Sequence, residues 1–77
     1  MVAVQKLKTV NYDNMRLYDI PRFSKIYCKV SDGSEFIIFD HLDGMYSYCT
    51  TEKDGVFHLS AGQPLKKYKD GYELANA

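Results

Sequence analysis

The sequence predicts an all-β protein built on a small antiparallel meander. Three Asp-Gly pairs begin at Asp32, Asp43 and Asp54, so each pair follows the previous one by 11 residues. An Asp-Gly pair between alternating apolar residues favours a two-residue hairpin, because a type I′ turn needs positive φ at both central positions. Even spacing of these turns predicts four consecutive antiparallel strands over residues 24–60.

The segments on either side of the meander predict further strands. Residues 2–10 are rich in β-branched residues, which favour a strand. The connection over 11–23 contains apolar residues that should pack against the sheet, and any helix within 12–19 should end before Pro21, which disfavours helical geometry at Ile20. Residues 61–64 read as a corner, 65–68 as a strand, and Asp70-Gly71 as a fourth hairpin leading into 72–74.

These elements predict one domain over residues 1–77. It comprises an N-terminal strand and long loop (1–23), the four-strand meander (24–60), and a corner with a C-terminal hairpin (61–77). The order is similar in shape to an SH3-like barrel with one or two additional strands. The predicted architecture is therefore such a barrel, or a strongly bent sheet, of five to seven strands. A chain of this length buries only about 60% of its unfolded surface, so the core should be small.

Two-residue turns at the Asp-Gly pairs also predict the strand register. They place Cys28 opposite Ile37, Phe39 opposite Tyr48, and Thr50 opposite Leu59. Directly opposed residues share a face, so one face should form the core. The predicted core residues are Ile26, Cys28, Val30, Ile37, Phe39, Tyr46, Tyr48, Phe57 and Leu59.

The opposite face is mostly polar, but it includes an apolar patch on the first two strands of the meander. The patch is either covered by other parts of the chain, such as residues 1–23, or exposed as a contact surface. The candidate partner-binding residues are Tyr27, Phe36, Ile38, Lys25, Lys29 and His58. An edge strand, at 2–10 or 72–75, could also pair with a strand of a partner.

The sequence offers little support for catalysis or metal binding. The predicted register separates Cys28 from Cys49, and splits those cysteines and the two histidines between the faces, so we expect neither a disulfide nor a zinc site. Its glycines do not form a phosphate-binding loop, and no compact nucleophile, base and acid arrangement follows from the register. We therefore predict no catalytic residue, cofactor, metal or small-molecule substrate.

Charge and aromatic content narrow the choice of partner. The formal net charge is zero, although residues 1–29 contain six basic and two acidic residues while residues 30–55 contain six acidic residues and one basic residue. Balanced charge argues against strong nonspecific DNA binding. Seven tyrosines and four phenylalanines, interleaved with lysine and arginine, could nevertheless stack single-stranded bases.

The functional expectation is a noncatalytic binding module. A protein partner or a homo-oligomer is expected, as for a self-assembling accessory protein. The alternatives are a small barrel that binds single-stranded nucleic acid and, less favoured, a small enzyme or metal protein. The sequence carries neither a signal-peptide core nor a membrane-length apolar run, so a cytoplasmic location without membrane contact is expected.

Overall fold

The structure, a computed structural model, describes residues 15–75 as a single sheet of seven short strands and one 3₁₀ turn. The strands are β1 (Met15–Arg16), β2 (Lys25–Tyr27), β3 (Phe36–Asp43), β4 (Tyr46–Thr51), β5 (Val56–Phe57), β6 (Pro64–Tyr68) and β7 (Gly71–Leu74), and the 3₁₀ turn spans Leu17–Asp19. Their spatial order is β1-β6-β7-β2-β3-β4-β5. Neighbours are antiparallel except for β2 and β7, which run parallel.

The all-β prediction is confirmed, and strands β2 to β5 form the meander. The sheet is not closed, so the SH3-like barrel is not confirmed. The 3₁₀ turn ends before Ile20, which is extended ahead of Pro21 as expected. The strand predicted over 2–10 lies outside the described residues.

The predicted edge strand at 72–75 is wrong. Strand β7 lies between β6 and β2, so its backbone already pairs on both sides. The C-terminal hairpin itself forms, with a two-residue loop at Lys69 and Asp70, one residue earlier than the Asp-Gly pair indicated. β7 therefore offers no free edge to a partner strand.

The first hairpin has a wider loop than predicted. Ile26 pairs with Ile37 instead of Phe39, because a loop over 28–35 replaces a two-residue turn. Asp32 shapes this loop by accepting a hydrogen bond from the backbone N–H of Ser34 (2.8 Å). The register shift is two residues, so the predicted faces of β2 and of the first half of β3, up to Phe39, are preserved.

The second hairpin also differs from the predicted one, and the difference reverses which side chains of β4 face the core. Its loop is Gly44-Met45, and the register changes between Phe39 and His41, as at a β-bulge. An extra residue on one strand shifts the alternation of side chains by one position. Phe39 consequently pairs with Cys49, and His41 pairs with Tyr48.

The predicted core positions of Tyr46 and Tyr48 are therefore wrong. Ser47, Cys49 and Thr51 are the buried residues of β4, while Tyr46 is 61% exposed. The buried hydroxyls are hydrogen bonded: Ser47 Oγ donates to the carbonyl of Leu59 (3.0 Å), and Thr51 Oγ1 donates to Asp32 (2.8 Å). Paired in this way, small polar side chains can be buried without the cost of a lost hydrogen bond.

The third hairpin also has a different register, and both cysteines lie on the core side of the sheet. Phe57 pairs with Cys49, so it packs against the core through a register that differs from the predicted one. Cys49 is fully buried and Cys28 packs against the core, which makes the prediction of opposite faces wrong. Both thiols are free.

The core combines the meander with segments from both ends of the described chain. The buried apolar residues are Leu17, Ile20, Ile26, Ile37, Phe39, Cys49 and Leu65. Around them pack Met15, Cys28, Val30, Phe57, Leu59 and Tyr72. Leu17 and Ile20 show that the described end of the 11–23 connection packs down onto the sheet, as expected. Across residues 15–75, no helix has the length and apolar character needed to cross a bilayer.

Candidate binding surface

Most of the predicted partner-binding residues lie together on the face of the sheet opposite the core, which we call the outer face. Lys25 pairs with Ile38, and Tyr27 pairs with Phe36, across β2 and β3. Lys29 follows β2 and lines a groove beside Tyr27. The structure thus brings together five of the six predicted residues, and only His58 lies elsewhere.

Three aromatic rings form a compact group on the outer face. The ring centroid of Tyr27 lies 6.2 Å from that of Phe36 and 5.1 Å from that of Tyr68, the latter in an edge-on arrangement. Lys25 Nζ lies 4.4 Å from the centroid of Phe36, and Lys69 Nζ lies 5.3 Å from that of Tyr68. We call these five residues the aromatic platform.

Asp70 anchors the centre of the aromatic platform. The phenol of Tyr27 donates a hydrogen bond to Asp70 Oδ1 (2.7 Å), and Lys25 Nζ lies 3.6 Å from Asp70 Oδ2. The hydrogen bond from Tyr27 lowers the pKa of Asp70, and the nearby charge of Lys25 adds to this effect. The tyrosine ring is therefore fixed by its own hydroxyl group as well as by its neighbours.

Sequence reasoning missed Tyr68, Lys69 and Asp70. They belong to the β6–β7 hairpin, which reaches β2 only because β7 pairs with β2 in parallel. Parallel pairing joins segments far apart in the chain, and no local pattern marks it. The high tyrosine content was the only available signal.

A groove of about 290 Å³ runs beside the platform and carries both signs of charge. Its lining includes Lys29 and Lys69 as well as Glu35 and Glu73. Lys66 Nζ lies 3.7 Å from Glu73 on the neighbouring strand. Two lysines of this region, Lys25 and Lys66, are thus paired with an acidic residue.

His58 belongs to a second aromatic group, the histidine cluster, formed by His41, Tyr48 and His58. The His41 ring stacks on Tyr48 (5.2 Å between centroids), and the His58 ring meets Tyr48 edge-on (5.5 Å). His41 Nδ1 donates to Asp40 (3.0 Å), and His58 Nδ1 donates to the carbonyl of Ser47 (2.8 Å). The bulge places His41 on the outer face, whereas the predicted register put it on the core side.

Next to the histidine cluster is a pocket of about 300 Å³ lined by Asp43, Tyr46 and His58. Asp43 and Tyr46 are directly opposed across the β3–β4 hairpin. Leu42 and Met45, in the same hairpin, are exposed. This pocket therefore lies at the tip of the hairpin.

The turn before β2 presents an exposed aromatic residue. Phe23 has a φ of 72° and is 65% exposed, and the Arg22 guanidinium lies 4.5 Å from the centre of its ring. Arg22 also forms an ion pair with Asp40 (2.8 Å). Hydrogen bonds from His41 and then Arg22 lower the pKa of Asp40.

Metal-binding and thiol chemistry have no visible basis in this part of the chain. Among residues 15–75, the structure contains no group of three or more potential ligands that could hold a metal ion. Burial raises the pKa of both Cys28 and Cys49, which keeps the thiols protonated and poorly nucleophilic.

Comparison with known proteins gives no assignment. No family model matches the chain, and searches of curated proteins and of solved structures give no match.

Proposed function

We propose that this protein is a noncatalytic binding module whose aromatic platform contacts a protein partner, a second copy of the chain being the first partner to test. The observation that carries the proposal is the group of three rings held on the outer face by Asp70 and two lysines. Tyr27 and Phe36 remain partly exposed, and Tyr68 is exposed.

The chemistry of the platform suits a protein interface. Tyrosine is enriched in such interfaces because it combines a large apolar ring with a hydroxyl group that can hydrogen bond. The rings form an apolar centre with charged groups around it, which is the usual arrangement of an interface with a polar rim. The presence of both charge signs also allows opposite charges to meet in an interface between identical copies, which must be self-complementary.

Single-stranded nucleic acid is the second candidate ligand. Aromatic rings bordered by lysines can stack bases and contact phosphates. Asp70 and the acidic residues of the adjacent groove oppose this, because they would repel phosphates, and Asp70 and Glu73 are already paired with Lys25 and Lys66. We therefore rank it below a protein partner.

An SH3-like curvature of the sheet stays part of the proposal. It is supported by residues 59–61, which bond to two distant parts of the sheet. Ser47 N–H donates to the carbonyl of Leu59 (2.7 Å), while Tyr18 N–H donates to the carbonyl of Ala61 (3.1 Å). These bonds draw β4 towards the segment that follows β1.

The first experiment measures self-association by sedimentation equilibrium in the wild type and in Phe36→Asp. We expect the wild type to associate and the variant to remain monomeric, because a buried carboxylate in the apolar centre of the interface is strongly unfavourable. Val56→Asp is the matched control: Val56 is 52% exposed on β5, outside the platform, and this variant should associate as the wild type does. If Phe36→Asp does not fold, Tyr68→Ala tests the same surface.

An amide NMR titration with a random single-stranded oligonucleotide distinguishes the two ligand classes. A protein interface predicts an unchanged spectrum at low salt. Shifts at Tyr27, Lys29 and Phe36 that vanish at high salt would favour the nucleic-acid alternative. Monomeric wild type together with such shifts would overturn the proposal.

A further inference from the structure

The pocket at the tip of the β3–β4 hairpin contains a carboxylate that has no partner among residues 15–75. Asp43 makes neither a hydrogen bond nor an ion pair with any described residue, whereas Asp32, Asp40 and Asp70 are each held by neighbours. Asp43 is also exposed, so its charge is available to a ligand. The pocket is thus suited to a positively charged group.

The other two lining residues add an aromatic face and a hydrogen-bond acceptor. Tyr46 is 61% exposed, and the face of a tyrosine ring attracts cations. His58 uses its Nδ1–H on the carbonyl of Ser47, which leaves Nε2 of the neutral imidazole as an acceptor. A ligand with several donors and no acceptor matches this set of groups.

We propose that this pocket binds the guanidinium group of an arginine side chain from the protein partner. Guanidinium is planar, stacks on aromatic rings, and offers five donors with a permanent positive charge. Ammonium lacks the planar shape, so arginine should bind better than lysine.

The surroundings of the pocket favour an arginine that belongs to a protein. Leu42 and Met45 are 42% and 81% exposed in the same hairpin, so the hairpin that holds the pocket also carries exposed apolar side chains. Arginine is enriched at protein interfaces, and its contribution is greatest where neighbouring contacts exclude water. The source of the arginine rests on the proposed function, in which the partner is a protein.

An amide NMR titration with the capped tripeptide Gly-Arg-Gly tests the pocket directly. We expect saturable shifts at Asp43, Tyr46 and His58, and no such shifts with the uncharged tripeptide Gly-Gln-Gly. Equal binding of Gly-Lys-Gly would overturn the assignment to guanidinium, and an unchanged spectrum with Gly-Arg-Gly would overturn the site.

Two matched variants test whether the carboxylate of Asp43 binds the peptide. Asp43→Asn should weaken binding of Gly-Arg-Gly about tenfold or more, because a charge-assisted hydrogen bond is lost. Asp54→Asn removes the same charge from an exposed aspartate in the next turn, at the other end of β4, and should leave the affinity unchanged. Equal affinities for wild type and Asp43→Asn would contradict the proposal.

A platform variant separates this inference from the proposed function. Tyr68→Ala alters the aromatic platform and should not change the shifts caused by the peptide. Peptide binding in a protein that does not self-associate would support the pocket and count against the platform. Self-association without peptide binding would support the platform and count against the pocket.

Discussion

At the scale of single residues, the proposed binding surface depends on a few polar contacts that hold aromatic rings in place. Tyr27 packs against Phe36 and Tyr68, and its hydroxyl group is bonded to Asp70. Tyr48 lies between two histidines whose Nδ1 atoms are both engaged. Fixed rings lose little conformational freedom on binding, which favours recognition.

The bond between Tyr27 and Asp70 leads to a prediction about acid titration. Tyr27→Phe removes the donor, so the pKa of Asp70 should rise towards the ordinary value of an aspartate. Carboxyl NMR titration measures this change. Asp32 is the internal control, because its pKa is lowered by Ser34 and Thr51 and should not move.

The same bond predicts how folding stability depends on pH. The pKa of Asp70 is lower in the folded state, so its contribution is present above the unfolded-state pKa and is lost as pH falls through the lowered value. Tyr27→Phe should lose less stability than the wild type over that acid range. Parallel urea titrations at several pH values measure the difference, and identical pH profiles would contradict the predicted role of Tyr27.

At the scale of elements, turn chemistry predicted the hairpins but not their registers. Asp-Gly pairs do lie in or beside the loops that follow β2, β3 and β4, yet none forms the predicted two-residue turn. The loop after β2 is shaped by Asp32, and the bulge in β3 contains Asp40, which is bonded to Arg22. Both contacts involve side chains, and alternation of apolar residues does not encode them.

The parallel contact between β2 and β7 predicts a strong dependence on Gly71. A Cβ atom at this position would overlap the backbone carbonyl oxygen of Lys25. Gly71→Ala should therefore cost about 1–3 kcal/mol of unfolding free energy, as overpacking usually does. Urea denaturation measures this cost.

Gly62 provides the matched control for that experiment. A Cβ atom on Gly62 would meet nothing within 4 Å, and its φ is not in the positive range. Gly62→Ala should change stability by less than about 1 kcal/mol, with stabilisation the expected sign. Equal effects of the two substitutions would mean that β7 does not approach β2 so closely.

At the scale of the whole molecule, one core joins the meander to segments before and after it. Leu17, Ile20 and Leu65 complete an apolar layer whose centre is Ile26, Ile37 and Phe39. Such a small core leaves little stability in reserve, since typical domains are stable by about 5–15 kcal/mol.

The observed register and the register expected from the sequence make the same prediction for Phe39 but different predictions for Tyr46. Phe39 is 5% exposed, so Phe39→Ala should cost about 3–5 kcal/mol. Tyr46→Ala should change stability by no more than about 0.5 kcal/mol, because Tyr46 lies on the surface. Thermal or urea unfolding of both variants measures these costs. A large loss in Tyr46→Ala would favour the register expected from two-residue turns.

The sequence by itself determined the all-β class, the meander over 24–60, and the placement of Tyr27 and Phe36 together on the outer face. These features follow from local turn chemistry and from alternation with a period of two, which survives a register shift of two residues. Only the tertiary structure decided the faces of β4 and the arrival of Tyr68 and Asp70 beside Tyr27. A one-residue bulge reverses alternation, and a parallel contact joins distant segments, so both depend on side-chain bonds and packing that no local stretch of sequence contains.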